Sequence, residues 1–193
     1  MNNTGSDLIS TALDLIQYHM TRCRKYASHF EWFDKHIKEK GVVKELFESM
    51  QREEKTMPNF LRASSQDPPD CVAEDCHGNQ IGIEVTELVY ERAIRLNEKG
   101  ERVFRLWEPE EVVSDIERIL RDKDSKVYKG GPYSQLWLII YTAEGTITHR
   151  EMLPLLETHL FSPTKQITDA FFLFSYDPRT QSYPYMRLKV AEK

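Results

Sequence analysis

The spacing of apolar residues predicts helices in the first third of the chain. There, apolar residues recur every three or four positions, which is the period of one helix face. The segments with this period are residues 7–20, 22–40 and 42–55. Gly41 is expected to separate the last two segments, and Pro58 to end the last one. We therefore expect residues 1–56 to form a helical region that packs on a core made by residues 57–193.

After Pro58 the apolar spacing becomes that of strands. The runs with strand character are residues 71–75, 80–88, 135–143, 169–177 and 185–191. Gly78 and Asn79 lie between the first two runs and suit a turn, so these runs are predicted to form a hairpin. The third run is apolar almost without interruption, which is typical of a central strand buried on both faces.

Helical patterns lie between the later strands. Residues 108–128 have Pro109 and acidic residues at their start and basic residues late, which suits a helix. Residues 148–160 predict another helix, in which Pro154 either marks the first turn or confines the segment. Residues 90–107 predict a loop or a short helix. The order of elements predicts an α/β or α+β fold, in which helices flank one mixed central sheet.

Composition and charge narrow the class of protein. The chain has 193 residues, 40% hydrophobic and 30% charged, as in ordinary globular proteins. No apolar run approaches the roughly 18 to 20 residues that cross a bilayer, and the start lacks a secretory signal, so no membrane partner is expected. Three cysteines are too few for a disulfide framework, which favours a cytoplasmic protein. The net charge of -5 disfavours a surface coated for nucleic-acid binding but allows a local basic cleft.

Two acidic residues stand where the hairpin should fill a core. Strand alternation puts Ile83 and Val85 on one face of the second strand and Glu84 on the other, beside Gly82, whose small size leaves room. Asp70 opens the partner strand after two prolines. In a tight hairpin the two carboxylates would converge, and they would repel each other unless a cation lay between them. Hard oxygen ligands suit Mg²⁺ or Mn²⁺, so we predict a metal site here.

The residues around these acids resemble a known family. A PPD run that ends at Asp70 is followed by IEVT, in which Glu84 is the acid. This resembles the PD-(D/E)xK nuclease superfamily of restriction-endonuclease-like fold, whose motif places Asp at the start of one strand and Glu-x-Lys on the next. The resemblance covers residues 60–143, and the N-terminal helices suit the helix that precedes the hairpin in that fold. It implies a divalent-metal-dependent nuclease, with nucleic acid, DNA in particular, as the partner.

One position departs from the family motif. Where the family has lysine, this chain has Thr86, which cannot supply a positive charge. In some branches of the superfamily the lysine comes from the helix after the hairpin. Lys123 lies in line with the apolar stripe of that helix, a stripe predicted to continue to Val127, and the two acids would be its partners. Lys126 is the less well-placed substitute.

The resemblance implies a role for each of these residues in phosphodiester hydrolysis. The implied metal ligands are Asp70, Glu84 and the backbone carbonyl of Val85, and the implied catalytic lysine is Lys123. Glu87 is a candidate ligand of a second metal. Glu39 lies in line with the apolar stripe of its own helix and is a candidate for completing the ligand set.

Other interpretations of the sequence stay open. Asp70 also suits a turn, Glu84 a solvent-exposed sheet face, and Lys123 a surface position in a last helical turn. The nuclease fold without its chemistry would make the chain a module that binds nucleic acid or a protein partner, which Thr86 and the acidic net charge favour. A third interpretation is a protein-interaction domain whose N-terminal helices dock a partner. For a nuclease that cuts both strands of a duplex, a homodimer is expected.

Overall fold

The structure is a computed structural model that describes residues 26–27, 30–32 and 34–192, except for the side chain of Phe60. The helix predicted over residues 7–20, and most of the first half of the segment 22–40, lie outside these residues. Within them the helices are α1 (Lys35–Arg52), α2 (Glu91–Glu98), α3 (Pro109–Asp124) and α4 (His149–Thr158). The strands are β1 (Asn59–Ala63), β2 (Cys71–Glu74), β3 (Gln80–Glu87), β4 (Gln135–Tyr141), β5 (Asp169–Leu173) and β6 (Tyr185–Arg187).

The strands form one mixed sheet in chain order, β1-β2-β3-β4-β5-β6. The first three are an antiparallel meander, β3, β4 and β5 are parallel, and β6 is antiparallel to β5. The predicted hairpin is β2–β3, in which Cys71 is paired with Ile83. Gly78 in its turn has a φ of 81°, which glycine adopts without steric cost. The predicted class, a mixed sheet flanked by helices, is confirmed.

Each face of the sheet is covered by helices, so β4 is buried on both sides as predicted. Leu138 and Ile140 face the core closed by α3 and α4. Ile139 and Tyr141 face the core closed by α1. The buried stripe of α1, the described helix of the N-terminal region, includes Val43, Leu46, Phe47 and Met50. The position of β3 between α1 and α3 therefore allows side chains from both helices to reach it.

Several predicted boundaries differ from those in the structure. Gly41 lies inside α1 and does not divide it, because burial of the apolar stripe outweighs the roughly 1 kcal/mol cost of glycine in a helix. The same helix ends at Arg52, before Pro58. Pro154 lies inside α4, whose Met152 and Leu156 pack on the sheet.

Two further differences concern an edge strand and the end of α3, whereas segment 90–107 agrees with its prediction. The sequence does not predict strand β1, which lies at the edge of the sheet. This strand has only five residues, and a shift of register interrupts its pairing with β2. The ambiguous segment 90–107 contains the short helix α2 and then extended chain. Val127 is 77% exposed, since α3 ends at Asp124 and the helical period no longer applies beyond it.

Candidate active site

Glu84 is a buried carboxylate in the middle of β3. It is paired with Leu138 of β4, it is 1% exposed, and it faces α3 rather than α1. Two ammonium groups donate to its Oε1 atom, Lys123 Nζ at 2.6 Å and Lys126 Nζ at 3.1 Å. Its Oε2 atom is buried and has no hydrogen-bond partner among the described residues. A buried charged oxygen without a partner costs free energy, so a cation at Oε2 would stabilise it.

Lys123 reaches Glu84 because α3 holds its last turn against the sheet. The apolar side of α3 packs in the core through Ile116, Ile119 and Leu120. The helix end is fixed by Asp124, whose carboxylate accepts the backbone N–H groups of residues 165–167. As a result the Lys123 side chain is only 18% exposed, whereas Lys126, beyond the helix, is 41% exposed.

Asp70 lies at the point where β3 runs past the start of β2. The last ladder pair is Cys71 with Ile83, and beyond it Asp70 Oδ2 accepts the backbone N–H of Val85 at 2.8 Å. The carboxylate thus replaces the next backbone partner of β3, which explains why Asp70 is buried, at 5% exposed. Its Oδ1 atom faces Lys35 Nζ at 3.4 Å. The interpretation of Asp70 as a simple turn residue is therefore insufficient.

Glu39 is brought to Asp70 by the first turns of α1. It is 5% exposed, and its Oε1 atom is 3.3 Å from Lys35 Nζ. Its Oε2 atom is buried and accepts from no donor among the described residues. Burial and the negative charge of Asp70 raise the pKa of Glu39 to about 7. The two carboxylates therefore meet at Lys35 Nζ, which lies 3.3 Å from Glu39 Oε1 and 3.4 Å from Asp70 Oδ1.

Asp70, just before β2, and Glu84, in β3, both shift the pKa values of Tyr128 and Lys126. Burial and the charges of Glu84, Asp124 and Asp70 raise the pKa of Tyr128. Burial lowers the pKa of Lys126, but its hydrogen bond to Glu84 and the charges of Glu84 and Asp70 outweigh this, so the net shift is upward. Asp70 and Glu84 thus both influence Tyr128 and Lys126. The closest lysine to Asp70 comes from α1, and the closest lysine to Glu84 comes from the last turn of α3.

The remaining predicted positions are less central. Thr86, where the family motif has lysine, lines a cavity of about 200 Å³ between β3 and α3, together with Lys123. Glu87 accepts a hydrogen bond from Tyr141 Oη at 3.1 Å, on the face of β3 opposite Glu84. The space beside Gly82 is filled, since a Cβ atom there would lie 3.0 Å from Leu136 and 3.2 Å from Tyr133. The expectation of open room at Gly82 is wrong.

The site offers few side-chain ligands for a divalent cation. Within residues 26–27, 30–32 and 34–192, no three His, Cys, Asp or Glu side chains are placed to hold one metal ion. The available donors are carboxylate oxygens of Asp70, Glu84 and Glu39, which are hard ligands of the kind that Mg²⁺ and Mn²⁺ accept. Mg²⁺ keeps several waters and needs only one or two carboxylates, so the donor set suits such an ion. The role of the Val85 carbonyl stays a prediction.

Sequence reasoning missed Lys35 and Asp67. Lys35 Nζ lies 2.9 Å from Asp67 Oδ2, in addition to its contacts with Asp70 and Glu39. The spacing of Lys35 and Glu39, four residues apart on a helix, was a usable signal. The contact with Asp67 joins two distant segments, and no local pattern indicates it.

Comparison of the chain with protein-family models, with curated proteins and with solved structures finds no match. In the part of the chain that the structure describes, no helix is long and apolar enough to cross a membrane.

Proposed function

We propose that this protein is a divalent-metal-dependent nuclease that hydrolyses phosphodiester bonds, in DNA in particular. The observation that carries the proposal is the buried Oε2 atom of Glu84, which has no partner among the described residues, next to a lysine held at 2.6 Å from Oε1. An unpartnered carboxylate oxygen beside a fixed ammonium group is unfavourable in a purely structural role. It suits a site that receives a cation and an anionic substrate.

The order of elements supports the same proposal. The helix before the hairpin, the acid at the start of β2, the acid within β3, the following helix and the buried strand β4 are the elements that the PD-(D/E)xK resemblance implies. Asp70, Glu84 and the Val85 carbonyl would hold Mg²⁺ or Mn²⁺, and Glu39, which meets Asp70 at Lys35 Nζ, is the alternative second carboxylate. When bound, the cation supplies Lewis-acid stabilisation of charge on the phosphate.

Three side chains would orient the water and the substrate during hydrolysis. Lys123 is oriented by Glu84 and carries the charge that Thr86 lacks, so it would hold the nucleophilic water or a phosphate oxygen in place. Asp70 is fixed by the N–H of Val85 and keeps its orientation while the substrate binds. Lys126 is more exposed and would contact the phosphate backbone near the site.

A second candidate is a module that binds nucleic acid or a protein partner without cleaving it. It is favoured by the two lysines that already neutralise one oxygen of Glu84, and by the lack, among described residues, of a three-residue metal cluster. Either function suits a reducing compartment such as the cytoplasm, because Cys71 and Cys76 are free thiols.

The deciding experiment is a cleavage assay on plasmid, single-stranded DNA and RNA, with Mg²⁺, Mn²⁺ or EDTA. The wild-type protein is expected to cleave DNA with metal and not with EDTA. Glu84→Gln should lower the rate at least about 100-fold, in the range lost on removing one key electrostatic group. Nicking without double-strand cuts at low protein concentration would indicate that a duplex needs a second copy.

The matched control is Glu74→Gln, the same chemical change in the same hairpin, at a position paired with Gln80 near the turn. This variant should keep the wild-type rate. Salt-sensitive DNA binding with no cleavage under either metal would exclude the nuclease and support the inactive module. Cleavage that Glu84→Gln leaves unchanged would exclude this site as its source.

A further inference from the structure

Lys35 occupies an unusual position for a lysine. It is the first residue of α1, directly after the N-cap Asp34, where the helix dipole disfavours a positive charge. Its ammonium group nevertheless lies within 3.4 Å of three carboxylates, those of Asp67, Glu39 and Asp70. These carboxylates, and not the helix, therefore hold the Lys35 side chain in place.

The net charge of the ion-paired side chains at the site bears on how a divalent cation binds. The side chains that take part are Glu39, Asp67, Asp70, Glu84, Lys35, Lys123 and Lys126. Four carboxylates and three ammonium groups leave a net charge of -1 when all are ionised. A divalent cation added to this group would make it positive, but one that replaces a single lysine would make it neutral. Binding of a divalent cation is therefore easiest when one ammonium group leaves.

Lys35 is the ammonium group that can leave at least cost. Its side chain is 57% exposed, compared with 18% for Lys123 and 41% for Lys126. An exposed lysine regains water when it turns outward, whereas a buried one would have to break its packing. The closest of its three contacts is with the exposed Asp67, at 2.9 Å, so it can stay near the site after leaving Asp70.

We propose that Lys35 is a tethered counter-ion that competes with the divalent cation for the carboxylates of Asp70 and Glu39. This rests on the proposed function, because it assumes that the cation binds there. Without metal the ammonium group limits the repulsion between the two acids; with metal it is displaced toward solvent and Asp67. Because Lys35 competes with the cation, the protein binds the metal more weakly than it would if these carboxylates had no lysine beside them.

The test is a Mn²⁺ titration of the intact protein, followed by the electron paramagnetic resonance signal of free Mn²⁺ and by the thermal midpoint Tm. Lys35→Met should bind Mn²⁺ at least about fivefold more tightly, because a positive charge is removed from beside the ligands. Its Tm without metal should be lower than that of the wild type, and its Mn²⁺-induced rise in Tm larger. Lys35→Arg keeps the charge and should keep the wild-type affinity.

The matched control is Lys44→Met, which removes the same charge from an exposed position nine residues later on α1. It should leave Mn²⁺ affinity unchanged. Equal or weaker Mn²⁺ binding by Lys35→Met, with binding intact in the wild type, would overturn the counter-ion role and leave the nuclease proposal standing. Failure of the wild type and Lys35→Met alike to bind Mn²⁺ would overturn the metal site itself, and the counter-ion role with it.

Discussion

Buried acids in this molecule are held in two different ways. Asp124, at the end of α3, accepts the backbone N–H groups of residues 165–167, so both oxygens have donors. Glu144 is 2% exposed and accepts from the Tyr26 hydroxyl and from the backbone N–H of Tyr90. In both cases the oxygens are satisfied by groups that the fold itself fixes, so these acids tie segments together.

Glu84 and Glu39 are equally buried but are held by lysines. Glu84 Oε1 contacts two ammonium groups and Glu39 Oε1 contacts one, and the other oxygen of each accepts no hydrogen bond from the described residues. Glu39 Oε2 faces His36 Nδ1 at 3.9 Å, beyond hydrogen-bond distance. Backbone donors cannot leave without unfolding the chain, whereas an ammonium group on a long side chain can be exchanged for another cation. For these four acids the kind of donor, more than burial, separates a structural acid from a candidate site. Asp70 combines both kinds, because its Oδ2 atom accepts the backbone N–H of Val85 and its Oδ1 atom faces Lys35 Nζ.

The largest expected effect is on stability, at the structural acid. Asp124→Ala leaves three backbone N–H groups without their acceptor and should lower the free energy of unfolding by about 3 kcal/mol. Glu84→Gln should cost less, because the amide keeps the shape and the lysines it releases are partly exposed. Urea unfolding of both variants measures this difference. An equal loss in the two would mean that Glu84 is as structural as Asp124.

A second prediction separates the two lysines on Glu84. Lys123→Met should lower the single-turnover cleavage rate about 100-fold, and Lys126→Met less than about 10-fold. The reason is that Lys123 is closer to Glu84 Oε1, at 2.6 Å against 3.1 Å, and less exposed. DNA binding measured at several salt concentrations serves as the control, since both variants remove one charge. A larger rate loss for Lys126→Met would reverse the assignment of the catalytic lysine.

The smallest expected effect is a pH dependence of stability at Glu39. Its pKa is raised in the folded state to about 7 by burial and by Asp70, so the folded protein binds a proton that the unfolded chain releases near pH 4.5. Stability from this group is fully present below pH 4.5 and is lost as the pH rises through 7. Relative to Glu39→Gln, the wild type should lose on the order of 2 kcal/mol across that range.

The measurement is the free energy of unfolding of both proteins between pH 4 and about 8, compared as a difference at each pH. Both proteins carry His36→Gln, because His36 Nδ1 lies 3.9 Å from Glu39 Oε2 and its contribution would not cancel in the difference. Parallel profiles would show that Glu39 does not hold the extra proton. A difference of opposite slope would indicate that Glu39 is ionised and stabilised by Lys35.

Much of the candidate site could be predicted because it lies on regular elements. Alternation along β3 correctly put Glu84 on the face opposite Ile83 and Val85. The helical period of α3 correctly turned Lys123 inward, but it failed at Val127 because the helix had already ended. Lys35 and Asp67 were missed, since their contact joins a helix to a loop 32 residues away.

The sequence by itself determined the alternation and the helical periods, and with them a mixed sheet and the faces on which its charged residues lie. Periodicity is local, so a few neighbouring residues are enough to express it. The tertiary structure decided which polar groups meet: the Val85 backbone N–H with Asp70, three carboxylates around Lys35, and an oxygen of Glu84 left without a donor among the described residues. Such contacts depend on how helices dock across a sheet, and the energy of ion pairs depends on burial that only the folded chain defines.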